Sequence, residues 1–223
     1  MDVINILGSI SLIIAAGTVI ISVNAWRREY VGKRRLELAE EVLALFYEAR
    51  DVISFIRSLF GFSGEGSTRN ASPNETPEEK QINDRAYVVF ERYNKCQDLF
   101  NKLYSMRYRY MARFIKDFGK DSAKPFEDLR RVVNEIFLSY RMLSYYWEQQ
   151  GLRQWKNEAE FKKHLEEMHK YEAIFWEKSS DKDQIIPRVD TVISDIEAQS
   201  LTIIEQQTIS QRIERWFIRP KKS

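Results

Sequence analysis

The sequence predicts an all-α protein, with one N-terminal transmembrane helix continuing into an antiparallel bundle of about five long helices. Three observations carry that prediction. Residues 3–26 contain no charged side chain. Beyond them, apolar residues recur at spacings of three and four, the period of a helix face. The 8 glycines and 5 prolines are few for 223 residues, and Pro73, Pro77, Pro125, Pro187 and Pro220 fall between or at the ends of the periodic segments.

The uncharged run is VINILGSISLIIAAGTVIISVNAW, Val3 to Trp26. As a helix it reaches roughly 36 Å, enough for a hydrocarbon core of about 30 Å. Trp26 closes it at interfacial depth, and Arg27 and Arg28 follow at once. A cleaved signal peptide is the competing reading, with Val23-Asn24-Ala25 as a cleavage site. It lacks the expected positive charge before the apolar core, where only Asp2 stands. No Lys or Arg precedes the run, whereas Arg27, Arg28, Lys33, Arg34 and Arg35 follow it. The positive-inside rule therefore predicts an inner (plasma) membrane protein with its N-terminus outside and its C-terminal domain in the cytoplasm.

Within the run, Gly8, Ser11, Ala15, Thr18, Ser22 and Ala25 alternate at spacings of three and four. They form one stripe of small and hydroxyl residues, a surface on which membrane helices approach closely and exchange hydrogen bonds. The stripe predicts a homo-oligomer or a partner transmembrane helix.

The organisation reads as an anchor over 1–26, a juxtamembrane helix over 27–60, a flexible loop over 61–77, a helical bundle over 78–218 and a basic tail over 219–223. The first soluble helix carries Leu38, Val42, Leu45, Ala49, Val52, Ile56 and Leu59 on its apolar face and stops before Gly61. Thr76 is the expected N-cap of the second, with Pro77, Glu78 and Glu79 in its first turn. That helix runs about 40 residues to Gly119, which is long for a globular protein. A third spans Pro125 to Gln150 and ends at Gly151; a fourth covers 156–178. The fifth starts near Pro187, and its apolar stripe gives way to Gln199, Gln206 and Ser210, polar positions of the kind that fix coiled-coil register. Antiparallel packing of neighbours would return the end of the second helix to the lipid.

With 35 basic and 33 acidic residues the net charge is +2, so no general attraction to nucleic acid is expected. Positive charge is concentrated over 85–118. There Arg85, Arg92, Lys95, Lys102, Arg107, Arg109, Arg113 and Lys116 face only Glu91, Asp98 and Asp117. Interleaved with tyrosines in YSMRYRYMARFIK, Arg107, Arg109, Arg113 and Lys116, together with Arg27 and Arg28, suit a lipid surface. The plainer reading is an amphipathic helix with core tyrosines and solvated arginines.

His164 and His169 lie five apart, about 140° around a helix, which is not a shared metal face. Glu166 and His169 form one Glu-x-x-His pair, and a di-iron bundle needs two. The histidines read as surface residues, and no metal or cofactor is expected. Asn70-Ala71-Ser72 and Asn74-Glu75-Thr76 match the glycosylation pattern, which matters only for the opposite orientation. Cys96, the single cysteine, excludes an intramolecular disulfide and falls on an apolar face. Phosphate-binding loops, nucleophile elbows and Cys-x-x-Cys pairs are all absent from the sequence.

The layout, though no motif, resembles the many bacterial single-pass proteins with an N-terminal anchor and a helical cytoplasmic domain. The expectation is a membrane-anchored, non-enzymatic interaction protein that self-associates through its membrane helix and docks a protein partner or lipid. The alternative is a membrane effector whose cytoplasmic domain triggers anchor assembly and permeabilisation, with Ser11, Thr18 and Ser22 lining a polar path. A helical-bundle enzyme would rest on Glu166 and His169 alone.

Overall fold

The structure, a computed structural model, describes residues 3–179 and 182–218, with side chains described at 12, 14–151, 153–179 and 182–206. Among the described residues there are six α-helices, one 3₁₀ turn and no strand: α1 (Val3–Arg57), α2 (Pro77–Lys95), α3 (Gln97–Phe118), the turn Gly119–Ala123, α4 (Lys124–Leu152), α5 (Glu158–Phe175) and α6 (Ile186–Ile218). The all-α helical bundle is as the periodicity predicts. The chain divides into two compact units, residues 1–41 with 200–223, and residues 42–199.

The first unit consists of the N-terminal part of α1 and the C-terminal part of α6. Among the described residues, no helix is long and apolar enough to cross a membrane. The span predicted at 3–26 falls in α1, and the side chains of 3–11 and 13 lie outside the described residues. What remains, 14–26, is a helix of about 20 Å, short of a hydrocarbon core. The predicted basic tail, 219–223, also lies outside the described residues.

In the second unit, Val42, Phe46, Ala49, Ile53 and Ile56 form a buried stripe on α1 at spacings of four, three, four and three. Phe46 meets Phe126 of α4 edge-on at 5.0 Å, and Tyr110 of α3 meets the same ring at 5.6 Å. Along α4 the contacts run in antiparallel order. Asn83 pairs with Glu148, Phe90 with Tyr140, Tyr93 with Phe137, Arg107 with Glu127, and Tyr110 with Phe126. Thus α2 and α3 together line the length of one helix. α6 runs antiparallel to α1 here, with Tyr47 donating to Glu197 and Arg50 pairing with Asp190 at 2.5 Å.

Local chemistry sets most boundaries. Thr76 caps α2 by accepting the Glu79 N–H at 3.2 Å, and the Glu79 carboxylate accepts the Thr76 N–H at 2.8 Å, a reciprocal capping box. Gly119 ends α3 at φ 58. Two boundaries differ from the sequence reading. The predicted 40-residue helix breaks at Cys96, where φ is −112 and ψ 10. In an unbroken helix residues seven apart are about 10.5 Å apart along the axis. Tyr93 and Phe100, on either side of the break, stack at 5.1 Å, and the break accommodates that stack. Likewise α4 continues through Gly151 to Leu152; Gly151 lacks the positive φ that Gly119 adopts and takes the helical conformation instead.

Candidate functional site

On the first unit every described large apolar side chain of the uncharged run is exposed. Leu12, Ile14, Val19, Ile20, Ile21, Val23 and Trp26 are all exposed, Leu12 at 76% and Val23 at 55%. An uncharged helix whose polar side chains are Thr18, Ser22 and Asn24 lacks the charged face of a water-facing surface helix. Of the small-residue stripe, Ala15, Thr18 and Ser22 are exposed and Ala25 half-buried; the side chains of Gly8 and Ser11 lie outside the described residues. The Thr18 hydroxyl donates to the Ala15 carbonyl and the Ser22 hydroxyl to the Thr18 carbonyl, both at 2.8 Å. These hydroxyls are satisfied within their own helix. Trp26 stacks on Tyr30 at 5.8 Å, and the Arg34 guanidinium lies 5.5 Å from the Tyr30 ring. Arg27 and Arg28 are exposed.

On the second unit the most constructed region surrounds two fully buried arginines, Arg57 and Arg92. Each crosses to the C-terminal carbonyls of a helix, where the exposed backbone oxygens and the helix dipole favour a cation. Arg92 of α2 donates to the carbonyls of Phe55, Ile56, Ser58 and Phe60 at the end of α1, at 2.7–3.4 Å. Its counterion is Glu65, at 2.6 Å. Arg57, in the last turn of α1, donates to the carbonyls of Ala173, Ile174 and Trp176 at the end of α5 and pairs with Asp183. Burial alone raises the Asp183 carboxyl, but Arg57 and the N–H groups of Ile186, Lys178 and Ile185 outweigh it and hold the carboxyl at about 2. The Arg92 hydrogen bond likewise brings Glu65 below its ordinary value.

These bonds fasten the segment predicted as a flexible loop. Glu91 accepts the Gly66 N–H at 2.7 Å and the Thr68 hydroxyl at 2.9 Å, and Arg69 grips Glu75 bidentately and Asp84 singly. Gly66 adopts φ 85, and a Cβ there would stand 1.9 Å from the Asp84 carbonyl oxygen, so only glycine fits. While the backbone is tied, Leu59, Phe60 and Phe62 point outward, Phe60 at 89% exposure. Leu59 is therefore not on the buried face where periodicity places it. An open cleft of about 690 Å³ adjoins them, lined by Phe62, Lys80, Asp84, Arg85 and Trp176 among others.

The basic segment divides. Arg92 is buried, Arg85 lies 4.5 Å from the Trp147 ring, and Arg107 pairs with Glu127 at 2.6 Å. Arg113 is half-buried, whereas Arg109 and Lys116 are exposed. Tyr110 is core, as the plainer reading has it, but Tyr108 is exposed.

His164, read as a surface residue, is buried at 8% exposure between the rings of Trp155 at 4.5 Å and Tyr146 at 5.3 Å. Its Nε2 has no hydrogen-bond partner. Burial, with Arg153 nearby, lowers its pKa, so the ring is neutral near pH 7. His169 is exposed, 3.9 Å from Glu172. Among the described residues no group of His, Cys, Asp and Glu is arranged to hold a metal ion.

Sequence reasoning missed Arg57, Arg92, Glu65 and Asp183. A signal existed: Arg57 follows Ile53 by four residues and Arg92 follows Val89 by three, so each charge stands on an apolar stripe. No family model, no curated protein and no solved structure matches the chain.

Proposed function

We propose that the chain is a membrane-anchored, non-enzymatic interaction protein, held at the inner membrane by residues 3–26 with its helical domain on the cytoplasmic side. The observation that carries this reading is the exposed apolar helix from Leu12 to Trp26. Seven large apolar side chains exposed among the described residues call for a non-aqueous neighbour, lipid or another membrane helix. The absence of charge back to Val3 and the arginines after Trp26 agree with a span in that orientation. The hydroxyls of Thr18 and Ser22 suit lipid because each is satisfied within the helix.

Alkaline extraction of membranes from expressing cells tests the anchor. The full chain is expected to stay with the membrane, and Ile14→Lys with Ile20→Lys to release it; wild-type chain in the extract overturns the reading. Self-association is tested by cross-linking in membranes, comparing wild type with Ser11→Ile and Ala15→Ile. A potential-sensitive dye in the same cells separates an interaction protein, which leaves the membrane polarised, from the alternative effector.

A further inference from the structure

α3 buries one side and leaves the other uncovered. Phe100, Leu103, Met106, Tyr110 and Phe114 face the core. At about 100° per residue, Ser105, Tyr108, Arg109, Ala112, Ile115 and Lys116 fall within one arc of about 120° on the opposite side, which Asn101 and Asp98 continue toward the start of α3, and all eight are exposed. Tyr108 is 68% exposed and Ile115 50%. Large apolar side chains are exposed on other helices too, Leu138 and Tyr145 among them; Tyr108, with the Arg107 guanidinium 5.5 Å from its ring, and Ile115 differ in the cations around them. Arg109, Lys116 and Lys120 of the following turn flank them, and among the described residues none pairs with a carboxylate. Arg107, by contrast, has its counterion in Glu127.

We infer that this outer face of α3 is a docking surface for anionic lipid, with Tyr108 and Ile115 entering the interface and Arg109, Lys116 and Lys120 meeting lipid phosphates. Charge and shape both fit such a surface. A convex helical face with two amphipathic or apolar side chains between unpaired cations matches a negatively charged leaflet. A concave pocket for a discrete ligand is not needed. The inference rests on the anchoring reading, which confines the domain to the vicinity of the cytoplasmic leaflet, where anionic lipids concentrate.

The test uses the full chain carrying Cys96→Ser and Ala112→Cys, labelled at 112 with an environment-sensitive fluorophore. It is reconstituted into nanodiscs with or without phosphatidylglycerol. In anionic discs the label is expected to shift to the blue, with quenching by an aqueous quencher slowed by about threefold or more. Arg109→Glu, Lys116→Glu and Lys120→Glu together are expected to remove the difference. Equal quenching in both lipids overturns the inference, including the case in which the face serves an acidic protein or a nucleic acid. If the chain does not enter discs, the anchor fails separately, and flotation with anionic vesicles decides the surface. Co-flotation abolished by the three charge reversals keeps the surface, and no co-flotation removes it.

Discussion

The Arg57 guanidinium and the Asp183 carboxylate, 126 residues apart in sequence, meet through two hydrogen bonds of 3.0 and 2.9 Å with neither side chain exposed. Asp183 also accepts the N–H groups of Lys178, Ile185 and Ile186 at 2.7–2.9 Å. One carboxylate thus satisfies a buried cation and three backbone donors.

Asp183→Ala is expected to cost about 3–5 kcal/mol, because it strands a buried guanidinium together with those donors. Arg57→Met leaves the buried Asp183 carboxylate without its counterion but still holding three backbone N–H donors, and is expected to cost less. The double variant should lose less than the sum by at least about 1 kcal/mol. Urea denaturation of the detergent-solubilised chain, followed by circular dichroism, reads all three; additive losses would count against a shared network.

The same pair predicts an acid limb. Asp183 titrates at about 2 in the folded chain against an ordinary 3.8. Above 3.8 both states are ionised and the full stabilisation is present. As pH falls toward 2 the unfolded chain takes up its proton first, and about 2 kcal/mol is lost at 1.36 kcal/mol per unit. Asp183→Asn is expected to flatten stability over that interval relative to wild type. Glu65 and Glu91, also below their ordinary values, contribute the remaining slope in the same direction.

Gly64 and Gly66 separate backbone strain from steric contact. Both have positive φ, 88 and 85, but a Cβ at Gly64 would find nothing nearer than the Ser67 hydroxyl at 3.9 Å. Gly64→Ala is expected to cost about 1 kcal/mol from conformation alone. Gly66→Ala, which drives a methyl into the Asp84 carbonyl, should cost at least twice that and speed hydrogen exchange at the Gly66 amide. Equal costs would mean that the close approach at Gly66 is relieved by movement of the segment.

His164 predicts a second pH effect, nearer neutrality. Its folded pKa lies below 6.5, so below 6.5 the unfolded chain binds a proton that the folded chain refuses, and stability falls with pH. His164→Leu keeps an apolar side chain between Trp155 and Tyr146 and removes that proton. Its melting temperature is expected to change less than that of wild type between about pH 7.5 and about pH 5.5. A variant with the wild-type pH dependence would place the titration elsewhere.

Much of the fold was legible because helix periodicity and caps act locally. Thr76, Pro77 and Glu79 determine the start of α2 among themselves, and Gly119 the end of α3. The break at Cys96 was not legible, since neither proline nor glycine marks it and its counterpart is the Tyr93–Phe100 stack against Phe137. Nor was the sorting of the basic residues. Arg85, Arg92, Arg107 and Arg109 look alike in sequence, yet they meet an indole, four carbonyls, a carboxylate and a thioether sulfur respectively. Partners brought from distant positions decided each case, and periodicity assigns a face without naming what lies opposite. His164 shows the same limit: its burial depends on Trp155 and Tyr146 closing over it.

The separation of Arg57 from Asp183 also orders events on the ribosome. Synthesis proceeds from the N-terminus, so residue 57 emerges long before its counterion. Until Asp183 arrives, the guanidinium must remain hydrated, and the end of α1 cannot settle into its final place. Glu65, Glu91 and Arg92 follow Arg57 closely in the chain, so the segment they tie together can close first. The interior is therefore complete only once α6, which follows Asp183, lays Val189, Val192 and Ile196 into the core and pairs with Tyr47 and Arg50 of α1.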